Sequence, residues 1–142
     1  MTDNGNVPAL AATAAGSWEM VSSENFDAYL QAVGVGAPAR AAANTAAPVQ
    51  TFSYVDGLWT LETVTGMRNT VDEFRLDEEF DLATPDGRKA TSVVTAEGNR
   101  LTEVRSIGGG TATIVREFTG EALVVTYSAR GVSAVRVFKR AA

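Results

Sequence analysis

Residues 132–139 alternate strictly between two faces. Val132, Ala134, Arg136 and Phe138 share one face, which is apolar except for the arginine. The segments before it follow the same period. Ala112, Ile114, Arg116 and Phe118 lie opposite Thr111, Thr113, Val115 and Glu117. Leu123, Val125, Tyr127 and Ala129 form the inner face of the next segment, and Leu101, Glu103, Arg105 and Ile107 a candidate inner face one segment earlier. Turn signals separate these runs at short, regular intervals: Asp56-Gly57, Thr65-Gly66, Asp86-Gly87, Gly98-Asn99, Gly108-Gly109-Gly110, Thr119-Gly120 and Arg130-Gly131. The pattern predicts an all-β antiparallel meander after Pro48, as a sandwich or a barrel.

Before Pro48 the period changes. Residues 17–21 read as a short strand. Phe26, Tyr29, Leu30 and Val33 then recur at helical spacing, with Ser22, Ser23 and Asn25 as capping candidates and Gly34 as the stop. Pro38 suits the first turn of a second helix over the Ala-rich residues 39–47. Arg40 is the only charge in that helix, which makes a DNA-reading helix-turn-helix a poor fit. Residues 1–15 are polar and Ala-rich, lack the features of a secretory signal, and are expected to form a flexible extension ahead of a domain at 16–142. No apolar run has the length needed to span a membrane.

Composition narrows the function classes. A chain of 142 residues with 45% hydrophobic and 20% charged residues suits one globular domain. The net charge of -5 argues against a nucleic-acid partner. With no Cys and no His, disulfides, thiolate metal sites, cysteine nucleophiles and Ser-His-Asp arrangements are all ruled out. Catalysis by Asp or Glu stays open, but the expectation is a protein with no catalytic residues, no metal and no cofactor.

The inner faces carry the candidate chemistry. Arg105, Arg116 and Arg136 converge, with Glu103 among them. A guanidinium withdrawn from water is costly unless an anion meets it, and a dry core rarely accepts several arginines with one acid. A water-filled cavity binding an anionic ligand explains them better than the alternatives, an internal ion-pair network or a misassigned strand parity.

The residues also resemble a known family. Gly16-Ser17-Trp18-Glu19-Met20-Val21, followed by Asn25-Phe26-Asp27 and Tyr29-Leu30, is similar to the signature of the intracellular lipid-binding proteins, specifically the fatty-acid-binding proteins. Gly34-Val35-Gly36, Arg68-Asn69-Thr70, Glu79-Phe80-Asp81, Asp86-Gly87-Arg88-Lys89 and residues 131–138 continue the match to about Arg140. The resemblance implies a ten-stranded antiparallel up-and-down β-barrel (a β-clam, lipocalin-like) with a helix-turn-helix lid. It implies a cytoplasmic, monomeric carrier of a long-chain fatty acid or similar hydrophobic carboxylate, such as a retinoid. Arg116 and Arg136 fall on the family's two arginine positions. Phe138 falls where the family places a tyrosine, which removes a phenolic donor, and Tyr127 or Arg105 is expected to compensate. The tail and portal lining implied in the same way is Phe26, Tyr29, Leu30, Pro48, Thr63, Met67, Asp86 and Val125. Met67 stands where the family often has a portal phenylalanine. Asp72 shares a face with Thr70, Phe74 and Leu76 and is expected to point inward, where it would oppose an anionic ligand unless it pairs with an internal basic group through water, sits near the exposed mouth or meets a more polar ligand; these alternatives stay open. A lid bearing only Arg40 as a cation predicts weak contact with anionic membranes. An enzyme acting on a lipid and a ligand-free structural protein are the readings ranked below the carrier.

Overall fold

The computed structural model describes residues 7–65, 69–84 and 86–141. Ten antiparallel strands form one sheet: β1 (Gly16–Glu24), β2 (Val49–Val55), β3 (Leu58–Val64), β4 (Thr70–Phe74), β5 (Phe80–Ala83), β6 (Lys89–Glu97), β7 (Arg100–Ile107), β8 (Gly110–Thr119), β9 (Ala122–Ala129) and β10 (Val132–Arg140). Their order is β4-β3-β2-β1-β10-β9-β8-β7-β6-β5. Each strand pairs with its sequence neighbour except β4 and β5, which leave the barrel's one gap, and β1 closes the wrap against β10. The register of β1 against β10 slips at a bulge between Met20 and Ser22; residues 16–19, before it, also pair with β2.

Two tight turns show why the hairpins close where they do. Asp56-Gly57 links Val55 to Leu58, and Arg130-Gly131 links Ala129 to Val132. All four turn residues have positive φ (50°, 86°, 49° and 77°), the geometry that matches the twist of a two-residue hairpin. Between the turns, β8 and β9 bury the inner faces expected from alternation: Ala112, Ile114, Arg116 and Phe118, then Leu123, Val125, Tyr127 and Ala129.

The lid is a helical pair, α2 (Phe26–Ala32) and α3 (Ala37–Thr45). Gly34 ends α2 with φ 88°. Its N–H donates to Gln31 O, and the Val35 N–H reaches back to Leu30 O. The start of α2 differs from expectation. Asn25 adopts a left-handed conformation and makes no side-chain cap; its Nδ2 donates instead to Ser133 O at 2.8 Å, tying the lid to β10. Arg40 Nε pairs with Asp27 at 3.1 Å, Asn44 donates to the same carboxylate oxygen, and Arg40 Nη1 donates to Val35 O.

The expectation of a flexible extension is corrected over its second half. Residues 7–14 form a helix, α1 (Val7–Ala14), whose Val7, Leu10, Ala11 and Ala14 are buried at helical spacing. It packs on β2 and β8. The end of α1 is well satisfied. Trp18 Nε1 donates to Ala14 O, and the Arg140 guanidinium donates to Thr13 O and Ala15 O while stacking 4.2 Å above the Trp18 ring. Burying Val7 and Leu10 contributes about 1.5–3 kcal/mol each. With Trp18, Phe52 and Phe118 behind it, this helix fills the end of the barrel away from the lid.

Candidate ligand-binding site

A cavity of about 400 Å³ lies between the lid and the strands. Phe26, Tyr29 and Leu30 of α2 and Ala39, Ala42 and Ala43 of α3 line its lid side. Pro48, Gln50, Leu61, Thr63, Ile107 and Ile114 form much of the remaining wall. Arg105, Arg116, Arg136, Tyr127, Asp72 and Asp86 supply its polar edges.

Most residues expected at the site are therefore brought together, with three exceptions. Phe138 faces inward but lies outside the cavity. It is fully buried opposite Leu123 and Met20, where side chains fill the closed end. Val125 is also fully buried without reaching the cavity, because it is packed in register between Arg116 and Arg136. Met67 lies outside the described residues. Asp86 does border the cavity, but its carboxylate is engaged by Arg88 Nε at 2.8 Å and by the Thr84 hydroxyl.

The inner arginines have very different partners. Glu103 on β7 is 3% exposed and pairs with two of them. Arg116 Nη1 donates to its Oε1 at 2.8 Å, while Arg105 donates to Oε2 through Nε at 3.0 Å and Nη2 at 2.7 Å. Ser92 Oγ adds a 2.7 Å bond to Oε2. Burial alone would raise the Glu103 pKa, but Arg116, Arg105 and these hydrogen bonds hold it at about 2. Arg116 still has an unused donor, since its Nε is buried without a partner.

Arg136 has no such acid among the described residues. Its Nε donates to Ser23 Oγ at 3.0 Å, and its guanidinium lies 3.4 Å above the Phe26 ring. Burial lowers its pKa, and Tyr127 is the one group that opposes this. Tyr127 packs 5.0 Å from Phe26 and 5.1 Å from Tyr29. Burial raises its pKa against the pull of Arg116, Arg136 and Arg105, so the phenol remains a neutral donor. Asp72, on β4 opposite Leu61, makes no hydrogen bond or ion pair with a described residue. Burial raises its pKa, and Arg105 partly offsets this.

Two contributors were missed from the sequence. Ser23 was read as a helix cap, although in β1 it sits directly opposite Arg136. Ser92 could have been found from β6, where Ala90, Ser92, Val94 and Ala96 alternate as a buried face. Among the described residues, no cluster of His, Cys, Asp and Glu is placed to hold a metal, and no helix is long and apolar enough to cross a membrane.

Comparison with known proteins agrees with this architecture. A family model described as lipocalin / cytosolic fatty-acid binding protein matches residues 15–141. The adipocyte fatty acid-binding protein of Pygoscelis papua is 37% identical over 89% of this chain and 96% of its own length. Sodium/calcium exchanger regulatory protein 1 of Doryteuthis pealeii is 45% identical over 56% of this chain, a match that spans only 61% of that protein. Among solved structures, a Schistosoma mansoni fatty acid binding protein in complex with arachidonic acid superposes with a TM-score of 0.90 at 33% identity, covering 93% of this chain and 98% of that one. The barrel, its helical lid and these matches together place the chain in the lipocalin / cytosolic fatty-acid binding protein family.

Proposed function

We propose that this protein binds a long-chain fatty acid in the barrel cavity and carries it, as a monomer, through the cytoplasm. The observation that carries this reading is Arg136, a buried cation at the cavity edge with no acidic partner among the described residues. A ligand carboxylate supplies the missing anion through charge-assisted hydrogen bonds. Tyr127 donates beside it, taking the place of the phenol absent at Phe138. Arg116 contributes through the donor that Glu103 leaves free. The acyl tail lies against Phe26, Leu30 and the aliphatic wall, gaining about 0.8 kcal/mol for each methylene buried.

The Glu103 network fits the ligand-free structural reading for Arg105 and Arg116, but it leaves Arg136 unexplained. The carrier reading accounts for both. On the lid, Arg40 is engaged by Asp27 and Val35. Transfer to vesicles should therefore depend only weakly on their anionic lipid content.

The test is mass spectrometry of lipids that co-purify with the protein, followed by calorimetric titration of delipidated protein with oleate and retinoic acid. Co-purifying fatty acids and saturable oleate binding are expected. Tighter binding of retinoic acid would move the assignment to a retinoid. Binding of neither would overturn the carrier reading.

A further inference from the structure

Asp72 is out of place in a cavity suited only to an alkyl chain. It borders the cavity with Leu61 and Thr70, on the β3–β4 side of the barrel. No described residue gives it a hydrogen bond or an ion pair. Arg105, the first of the cations acting on it, already directs two donors to Glu103. A saturated tail laid along this wall would strip water from the carboxyl group and return no hydrogen bond.

Arg105 completes the polar belt. It lines the same cavity and spends Nε and Nη2 on Glu103, and no bond to a described residue uses its Nη1. A carboxyl acceptor and guanidinium donors bordering one cavity match the two-sided chemistry of an alcohol, which donates through O–H and accepts through oxygen.

Building on the carrier reading above, we infer that Asp72 makes this cavity selective for long-chain carboxylates with a hydroxyl group on the chain. The head carboxylate remains on Arg136. The chain hydroxyl donates to Asp72 and accepts from the arginine side of the belt. A site built to hydrogen-bond a hydroxyl discriminates against the analogue that lacks it, because its own polar groups are then left unpaired.

The experiment is calorimetry at neutral pH with stearate and a series of hydroxystearates, the hydroxyl placed at successive chain positions. The proteins are wild type, Asp72→Leu and Asp72→Asn. Wild type is expected to prefer at least one hydroxystearate over stearate by about tenfold. Asp72→Leu should bring the two ligands to near equality, chiefly by tightening stearate. Asp72→Asn, still able to bond a hydroxyl, should keep part of the preference and serves as the readout if the leucine variant does not fold. Equal binding of all these acids by wild type would overturn the inference while leaving the carrier reading intact, as would a preference unchanged in the variants. Failure of wild type to bind any of the acids would overturn both.

Discussion

Arg116 and Arg136 occupy equivalent places on either side of Val125 in one row across β8, β9 and β10, and they are 5% and 6% exposed. Their surroundings differ because their outer neighbours differ. Beyond Arg116 lies β7, which brings Glu103 into bonding distance. Beyond Arg136 lies β1, which brings a serine, and above it the lid, which brings an aromatic ring. The same residue type at the same depth thus holds an internal network together in one place and awaits an anion in the other. Burial alone does not make an arginine a ligand site; the missing counter-charge does.

The largest effect is expected on the network side. Glu103→Gln leaves Arg105 and Arg116 buried without their acid and should cost about 3–5 kcal/mol of stability in denaturant unfolding. A change below about 1 kcal/mol would mean that the network contributes little. The same group sets an acid limit. Its pKa falls from an ordinary 4.5 to about 2 in the folded protein, so its stabilising contribution is complete above pH 4.5 and is lost as pH falls toward 2. Linkage puts this loss at about 3 kcal/mol. Unfolding curves across that range should show it in wild type and lose it in Glu103→Gln.

Smaller effects are expected on the ligand side. Tyr127→Phe should weaken oleate binding by roughly fivefold, the value of about one hydrogen bond, with little change in stability. Unchanged affinity would remove Tyr127 from the carboxylate site. Asp27→Asn breaks the Arg40 pair on the lid. With Asp27 half exposed, that pair is worth only about 0.2–1 kcal/mol. The change should appear as faster ligand release in stopped flow rather than as a shift in melting temperature.

Much of this comparison was legible in the sequence. Alternation placed Arg116 and Arg136 on inner faces, because period-two patterning survives wherever one face of a strand is buried. It also placed Glu103 and Arg105 together. What it could not assign was which arginine Glu103 would neutralise, since that depends on cross-strand register and side-chain reach. Phe138 shows a related limit: parity gives the face but not the depth, and the cavity ends before that residue. Helix α1 was missed for another reason. Val7, Leu10, Ala11 and Ala14 do carry the helical spacing, but small side chains in an Ala-rich segment give it a weak hydrophobic signal.

The most direct measurement compares the two arginines. Delipidated wild type, Arg116→Gln and Arg136→Gln would each be titrated with oleate by calorimetry and unfolded in denaturant. Arg136→Gln is expected to lose about tenfold or more in affinity with a stability change near 1 kcal/mol. Arg116→Gln should show the reverse ranking, a smaller loss of affinity and a larger loss of stability. If Arg116→Gln abolished oleate binding while Arg136→Gln left it intact, the claim that the uncompensated arginine anchors the ligand would be contradicted.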